Sequence, residues 1–283
     1  MYLPSEIPSA RILITVKTYP QPSGKYDELV CTAGLTTDGK WIRIYPVPFR
    51  RLPYKDQYRR YQWIELDIIR RDKDFRPESY SPARGIDTKI VVGTSIPTVH
   101  NWAERKQIVL NELFSSMNDL ISCAKGEAKK SLATLEPREI IDFVVEPVER
   151  EWKSEWQNHL LQLNLFDQDE TGRAHPRKVI RKLPYKYSYK FLSTGDKNPR
   201  TLMIEDWELG ALFWNCLNQC EGDEQAANEL VRKKYFDDFV GQKDLYFFLG
   251  TTLAYHNQAP NPFIIIGLFY PPKVAGEQQM LRF

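Results

Sequence analysis

The chain has few of the residues that build metal centres and disulfide frameworks. Its 283 residues include only four cysteines and four histidines. Cys31 lies alone in a predicted strand, while Cys216 and Cys220 lie four apart in a predicted helix without two further ligands at a recognisable spacing. Such sparse thiols exclude a disulfide-rich scaffold and indicate buried cysteines in a reducing compartment. The sequence therefore predicts no metal site and no cofactor.

Long apolar runs and familiar catalytic motifs are missing as well. The longest apolar run near the end, PFIIIGLFYPP, is far shorter than the ~20 residues of a membrane span. The start, MYLPSEIPSARILITV, lacks the basic and apolar regions of a signal peptide. The sequence also contains no phosphate-binding loop, dinucleotide fingerprint, HExxH or GxSxG. We therefore expect a cytoplasmic protein that does not bind membranes.

The chain also lacks a charge excess of one sign. It has 39 basic and 37 acidic side chains, a net charge of +2. This balance excludes a protein that binds nucleic acid by bulk charge, so any anionic partner must be held by a local patch. With 42% apolar and 13% aromatic residues, the composition supports a folded core. At roughly 100–200 residues per domain, the length favours two domains.

The first hundred residues predict a small β-barrel. The predicted strands are residues 11–20, 28–35, 41–49, 61–71 and 88–93. Asp38 and Gly39 lie between two apolar runs and are typical of a hairpin turn. Within WIRIYPVPF, Trp41, Arg43 and Tyr45 alternate with Ile42 and Ile44, as in a half-buried strand. Several short strands joined by turns indicate an OB-like or SH3-like barrel.

The pattern changes after this region and predicts an α+β protein. Apolar residues at spacings of three and four predict one helix over 99–126. The polar stretch after it predicts a boundary at 126–131, with an OB-like barrel domain and its closing helix over 1–126 and a mixed α+β domain over 131–283. A second OB-like barrel with helical insertions remains an alternative for that domain. We also predict a helix over 150–166, a polar loop over 167–178, and two neighbouring final strands.

Two segments mix basic and aromatic residues, as single-stranded nucleic-acid binders do. Residues 48–61 (PFRRLPYKDQYRRY) contain one acid, and residues 175–191 (HPRKVIRKLPYKYSYKF) contain none. Basic side chains neutralise phosphates, and aromatic rings stack on bases. The predicted phosphate contacts are Arg50, Arg51, Arg59, Arg60, Arg181, Lys182, Lys186 and Lys190, and the candidate stacking rings are Tyr54, Tyr58, Tyr187 and Trp41. The alternative is that the rings of YKYSYKF form a core face and its lysines the wet face.

An acidic cluster supports a second hypothesis, a Mg²⁺-dependent nuclease or nucleotide-processing enzyme. Glu205, Asp206 and Glu208 flank a tryptophan in IEDWE, and Asp72 or Asp74 could add a carboxylate. The alternative is that Glu205 and Asp206 favour the positive end of a helix dipole. The D–(D/E)-x-K pattern of many nucleases is not visible. We therefore expect a non-enzymatic protein first and the enzyme second.

Several stretches resemble, in order, an uncharacterised bacterial protein family described as having dual OB-like domains. They are WIRIYPVPFRRL, KDFRPESYSP, SLATLEPREIIDF, YKYSYKF with IEDWELG, and DLYFFLGTT with FIIIGLFYPPK. The resemblance extends from about Arg11 to Lys273. Members occur near mobile-element and antiphage-defence genes. Some carry a Cys/His cluster before the IEDWE-like segment, where this chain has FLSTGDKNPRT and so does not support a metal site.

The resemblance implies an OB-type nucleic-acid or nucleotide binder, and it supplies no catalytic residues. Our leading hypothesis is a single-stranded DNA or RNA binder. It would act in a bacterial defence or DNA-processing system with partner proteins of the same operon. The nuclease centred on the acidic cluster is the second hypothesis. A scaffold that binds proteins through its aromatic surface is the third.

Overall fold

A closed five-stranded barrel forms the first part of the fold. The computed structural model describes residues 3–23, 27–47, 49–154 and 180–273. The barrel strands are β1 (Glu6–Lys17), β3 (Asp27–Thr36), β4 (Trp41–Val47), β5 (Gln62–Arg70) and β6 (Ser79–Pro82). They pair in the order β1-β3-β4-β6-β5, and β5 pairs back with β1 to close the ring. β4 and β6 run parallel and the other barrel pairs antiparallel, which gives the Greek-key barrel of an OB fold.

Successive side chains of the barrel strands point to opposite faces of the sheet and pack into two different hydrophobic clusters. Ile12 and Ile14 of β1 fill the barrel interior, whereas Leu13 points outward into a second buried cluster. Gly34 lies where β3 approaches β1, because a Cβ there would be 2.2 Å from the carbonyl oxygen of Leu13. The predicted turn after β3 is present, and Gly39 adopts the positive φ of 76° that such a turn requires. The short strands β2 (Gln21–Ser23) and β7 (Val91–Ser95) pair with β3 and β5 outside the ring.

The second part of the fold is mixed α+β. Its strands are β8 (Leu113–Phe114), β9 (Leu132–Leu135), β10 (Glu139–Pro147), β11 (Tyr185–Leu192), β12 (Arg200–Met203), β13 (Tyr246–Thr251) and β14 (Phe263–Phe269). Within the described ranges, β10-β11-β12 form one sheet and β14-β13-β9-β8 another. The α-helices of the described chain are α1 (Val99–Val109), α2 (Met117–Lys125), α3 (Trp207–Gln219), α4 (Glu224–Arg232) and α5 (Phe239–Gln242), and a π-helix (Lys233–Asp238) joins α4 to α5. The α+β class and the pairing of the last two strands are as predicted.

The single helix predicted over 99–126 is wrong, because the structure divides it. α1 ends near Leu110, β8 follows, and α2 begins after Ser116, whose hydroxyl accepts a hydrogen bond from the Asp119 amide at 3.2 Å. β8 pairs in parallel with β9, with Leu113 beside Thr134. Sheet pairing to a distant strand therefore prevails over the helical spacing of the apolar residues.

A shared hydrophobic cluster joins the two parts of the fold. Leu35 and Trp41 on the outside of the barrel belong to the same buried cluster as Phe248 and Phe269 of the last two strands. The rings of Trp41 and Phe248 meet edge to face, with centroids 5.4 Å apart. The final hairpin therefore covers part of the outer face of β3 and β4, and the rest of that face stays open.

Two further predictions concern the segment between β10 and β11 and the domain boundary. The helix predicted over 150–166 and the loop over 167–178 fall mostly on residues 155–179, outside the described residues. The boundary predicted at 126–131 stays a prediction. Among the described helices, none combines the length and the apolar character that a membrane crossing needs.

Candidate functional site

The uncovered part of the β3–β4 face forms one wall of a cleft. Arg43 and Tyr45 project from β4 because their neighbours Ile42 and Ile44 fill the barrel interior, and Cys31 projects beside them from β3. In OB barrels this face and the loops beside it bind ligands. The other side chains that define the cleft include Arg71, Asp74 and Arg76 from the β5–β6 loop, Glu205, Thr251 at the end of β13, and Thr252, Leu253 and Tyr255 just after it. The cavity, which we call the arginine cleft, has a volume of about 690 Å³.

The guanidinium of Arg43 is buried, and the atoms that accept its hydrogen bonds are uncharged hydroxyl and carbonyl oxygens. Its Nη1 donates to the hydroxyls of Ser79 and Ser131, both at 2.9 Å. Its Nη2 donates to the carbonyl oxygens of Ser131 at 3.2 Å and Thr251 at 3.3 Å. Burial, reinforced by the charge of Arg76, lowers the pKa of Arg43 to about 10. The side chain therefore remains charged at neutral pH, and it links β4 to the second part of the fold.

Arg76 is the one arginine of the cleft with a carboxylate partner in hydrogen-bond contact among the described residues. Its Nε and Nη2 donate to the two carboxylate oxygens of Asp74 at 2.8 and 2.6 Å, and its Nη1 donates to the carbonyl oxygen of Thr251. Burial acts to raise the pKa of Asp74, but the hydrogen bonds and the charge of Arg76 lower it. Asp74 is therefore ionised, and its charge is neutralised by this pair.

Arg71 presents hydrogen-bond donors that the described part of the chain leaves unused. Its Nη1 donates to the carbonyl oxygen of Tyr45 at 3.1 Å, and its guanidinium lies 4.6 Å from the centroid of the Tyr45 ring. A guanidinium held against a ring keeps its edge available for a phosphate or carboxylate. Arg71 is therefore the side chain of the cleft best placed to bind an anion.

Two titratable groups of the cleft are shifted toward their neutral forms by burial. Burial raises the pKa of Glu205, whose carboxylate accepts a hydrogen bond from Gln21 at 3.5 Å. Burial also raises the pKa of the Cys31 thiol. Asp74 is bound to Arg76, and Glu78 faces Arg43 through the Ser131 hydroxyl, which accepts from Arg43 and donates to Glu78 at 2.8 Å. Arg71 is therefore the cation of the cleft that no described carboxylate contacts directly or through one hydroxyl.

The structure separates the predicted residues of the first basic–aromatic segment. Arg50, Arg59 and Tyr54 are exposed, Tyr54 by 84%. Arg51 lies in the short helical turn Phe49–Arg51, and its side chain is outside the described part of the chain. Arg50, Arg59 and Tyr54 do not line the arginine cleft.

Tyr58 and Arg60 of the same segment are buried, so the ligand contacts predicted for them do not fit this structure. Tyr58 is 1% exposed inside the barrel, and its hydroxyl lies 2.9 Å from that of Thr32. Arg60 donates from Nη1 to Asp206 at 3.1 Å and to Glu208 at 2.7 Å. A base has no access to the Tyr58 ring, and the charge of Arg60 is already neutralised. Trp41, the other predicted ring in this region, is also buried.

The second segment forms β11, and its rings face the core. Tyr187 is 1% exposed and donates its hydroxyl hydrogen bond to the Asn228 side chain at 2.7 Å, which leaves no ring face for a base. Lys186 pairs with Glu146 at 2.8 Å, and Lys190 is exposed. The core-face alternative for YKYSYKF is therefore the one that the structure shows.

The remaining predicted cations of that segment lie beside tryptophans. The guanidinium of Arg181 lies 3.8 Å from the centroid of the Trp214 ring. Lys182 donates to the carbonyl oxygen of Glu151 at 3.0 Å and lies over Trp152. Residues 175–179 are outside the described chain. The structure thus brings no two of the predicted phosphate contacts together in the arginine cleft.

The acidic cluster has structural partners. Asp206 caps α3 by accepting a hydrogen bond from the Glu208 amide at 3.0 Å, and its other oxygen accepts from Arg60. Burial raises the pKa of Asp206 to about 6, against the opposing charge of Arg60. Within the described ranges, no group of three His, Cys, Asp or Glu side chains is arranged to hold a metal ion. Asp206 and Glu208 share Arg60, whereas Glu205 lines the arginine cleft.

Sequence reasoning missed most of the residues of the arginine cleft. Arg43 carried a signal, since it is a charged residue between Trp41 and Tyr45 on the outward side of an alternating strand. The mixed-charge stretch 70–79 contains Arg71 and Arg76, but its acids suggested metal binding instead. The proximity of these arginines to residues after β13 depends on tertiary packing that no local pattern shows.

Comparison with known proteins finds remote similarity to solved structures and matches to two family models. One similar solved structure is described as "Structure and Conformational Change of a Replication Protein A Heterotrimer Bound to ssDNA", with a TM-score of 0.29 and 8% identity. The match covers 97% of this chain and 68% of that chain. A search of curated proteins finds no match. The model of the family "Domain of unknown function (DUF8758)" matches residues 8–111. The model of "Domain of unknown function (DUF8757)" matches residues 113–283, more than half of the chain, which therefore belongs to the DUF8757 family.

Proposed function

We propose that this protein binds single-stranded nucleic acid, DNA or RNA, with a phosphate in the arginine cleft. The observation that supports the proposal is the placement of Arg43 on the ligand-binding face of an OB barrel and of Arg71 and Arg76 on the loop beside it, with Asp74 ion-paired to Arg76. Arginine suits this role because its planar donors match phosphate oxygens. A cleft of about 690 Å³ accommodates one or two nucleotides, not a long strand.

Tyr255 supplies a stacking surface at the edge of the same cleft. Its side chain is 62% exposed and lies in the first half of the turn that follows β13. Stacking of one base on one aromatic ring contributes about 1–3 kcal/mol and tolerates any base. A phosphate on Arg71 with a base on Tyr255 would therefore bind nucleic acid without strong sequence preference.

The biological setting is also part of the proposal. The resemblance to proteins found near mobile-element and antiphage-defence genes supports a component of a bacterial defence or DNA-processing system. Such a component would act with partner proteins of the same operon. The stretches that carry this resemblance include KDFRPESYSP, which contains Asp74 and Arg76 of the cleft.

Replacing Arg71 with glutamine is expected to weaken binding of a labelled 15-residue oligothymidylate or oligouridylate about tenfold, since a charge-assisted hydrogen bond contributes about 1.5–3 kcal/mol. Each phosphate contact on a single strand adds about −0.7 to the slope of log affinity against log salt, so Arg71→Gln should also make the slope shallower by about that amount. Fluorescence anisotropy between 50 and 200 mM salt measures both quantities.

Arg11→Gln is the matched control for this experiment. Arg11 also lies over an aromatic ring, 4.8 Å from the centroid of Trp63, but it is on β1 and does not line the cleft. Its replacement should leave both affinity and salt slope unchanged. Equal affinities for the wild type and Arg71→Gln would refute the assignment of the phosphate to the cleft.

A further inference from the structure

A second cavity lies on the opposite side of the end of β1. Val16 and Thr18 line the arginine cleft, whereas Lys17 points the other way into a cavity of about 630 Å³. Its aromatic walls include Trp102, which lies in a non-helical kink near the start of α1, and Trp207 at the start of α3. The side chains that define this cavity, which we call the tryptophan pocket, include Lys17, Arg59, Tyr61, Trp102, Arg105 and Trp207.

Three cations of the pocket have no carboxylate within ion-pair distance among the described residues. The Lys17 amino group donates to the carbonyl oxygen of Tyr58 at 3.3 Å and lies 4.3 Å from the Phe49 ring centroid. Arg105 donates from Nε and Nη2 to the carbonyl oxygen of Ile96 at 2.9 and 2.5 Å. Arg59 is exposed at the side of the pocket.

The acids of the pocket do not balance these cations. Glu208 and the neighbouring Asp206 both bind Arg60, and this group of three carries one net negative charge when both acids are ionised. Lys17, Arg59 and Arg105 then leave the pocket positively charged. Burial lowers the pKa of Lys17 to about 8, so the amino group is still largely protonated at neutral pH. An anion that entered the pocket would therefore meet partly desolvated positive charge.

Backbone strain and an orphaned hydroxyl occur at the same pocket. His100, Asn101 and Trp102 have φ values of 51°, 55° and 63°, and Tyr61 has 59°. Residues other than glycine rarely adopt this left-handed region, and such strain concentrates at ligand sites. The buried Tyr61 hydroxyl has no hydrogen-bond partner among the described residues.

The strained turn holds an aromatic and cationic surface in place. The Trp102 ring packs against Tyr270, with centroids 5.5 Å apart. The Arg105 guanidinium lies 4.1 Å from the Tyr61 ring centroid and 4.9 Å from that of Trp102. Indole rings and guanidinium groups held together in this way suit a ligand that carries both a planar ring and an anion.

We infer that the tryptophan pocket binds a nucleotide, with its base against the indole rings and its phosphate on Lys17, Arg59 and Arg105. A free nucleotide and a nucleotide within a strand present the same base and phosphate, so the pocket recognises chemistry that both share. This inference does not depend on the arginine cleft. It assigns a second, separate site.

The test compares ligands first. Wild-type protein is titrated with ATP, AMP, inorganic phosphate and a five-residue oligothymidylate, followed by calorimetry and tryptophan fluorescence. Saturable binding of ATP with quenching is expected, and inorganic phosphate should bind at least tenfold more weakly than ATP because it has no base. An oligothymidylate that competes with ATP identifies a strand as the source of the nucleotide, and ATP binding without such competition identifies a free nucleotide. Absence of saturable nucleotide binding, or equal affinity for inorganic phosphate and ATP, would overturn the inference.

Variants then locate the site. Arg59→Gln and Arg105→Gln should each weaken ATP binding about tenfold. Arg59 makes no side-chain hydrogen bond or ion pair within the described chain, so its replacement tests the pocket even if Arg105→Gln disturbs folding. Arg11→Gln, outside both cavities, should change the affinity less than twofold. Loss of ATP binding in Arg71→Gln with normal binding in Arg59→Gln would place the nucleotide in the arginine cleft and contradict the inference.

Discussion

Arg60→Met is expected to lower the free energy of unfolding by about 3–5 kcal/mol, because it leaves a buried carboxylate without its partner. The side chains of Arg60 and Asp206 are only 6% and 2% exposed. Arg60 also donates to Glu208 and to the carbonyl oxygen of Leu268, so one guanidinium joins the barrel to both α3 and β14. Burial alone would lower the pKa of Arg60, but the charges of Asp206 and Glu208 raise it.

Urea unfolding followed by circular dichroism measures this loss, and Arg59→Met is the control. Arg59 is adjacent in sequence but exposed, so its replacement should change stability by no more than about 0.5 kcal/mol. A loss below about 1 kcal/mol for Arg60→Met would show that Asp206 can be protonated or solvated at little cost. A combined substitution of both arginines would mix this buried ion pair with a surface charge, so the two must be changed separately.

Lys17→Met is expected to raise the free energy of unfolding by about 2 kcal/mol at pH 7. Burial lowers the pKa of Lys17 from 10.5 to about 8, a change that corresponds to about 3 kcal/mol of penalty on the charged form in the folded state. Partial solvent contact and the attraction between the amino group and the Phe49 and Trp207 rings reduce the net gain. Methionine keeps the contacts with both rings.

The stability difference between the wild type and Lys17→Met should depend on pH in a defined direction. Below about pH 8 Lys17 is protonated in both the folded and the unfolded chain, so the whole penalty is present. Between about pH 8 and 10.5 the folded protein loses the proton first, and the wild type gains stability relative to the variant. The charges that face the amino group are those of Glu208, Asp206, Arg60 and Arg59. Urea unfolding at pH 7, 9 and 10 should show a shrinking advantage, and a constant advantage would show that burial of the charged amino group is not its cause.

The sequence predicted the barrel well because its signals are local. The turn at Asp38 and Gly39 and the alternation from Trp41 to Tyr45 each need only a few residues, and the barrel follows from several such units. The same local logic predicted one helix over 99–126. It failed where Leu113 pairs with Thr134, because that pairing depends on a strand about twenty residues away.

The candidate sites were less predictable because their side chains meet across the fold. Arg59 and Arg60 look equivalent in the sequence, yet one is exposed and the other pairs with Asp206, 146 residues later. The alternation in YKYSYKF defines two faces of β11 but does not say that one of them, with Tyr187, is buried. Tertiary packing also decides that the Arg43 side of β4 remains partly uncovered.

The shared cluster between the two parts of the fold has a consequence for synthesis. A ribosome that has made residues 8–111 has completed every barrel strand, but Phe248 and Phe269 are not yet attached. Leu35 and Trp41 then face water, and the wall that Thr251 gives to the arginine cleft does not exist. A nascent barrel would therefore carry an exposed apolar patch without either complete cavity. Both cavities would take shape only near the end of translation, once β14 and Tyr270 have been made.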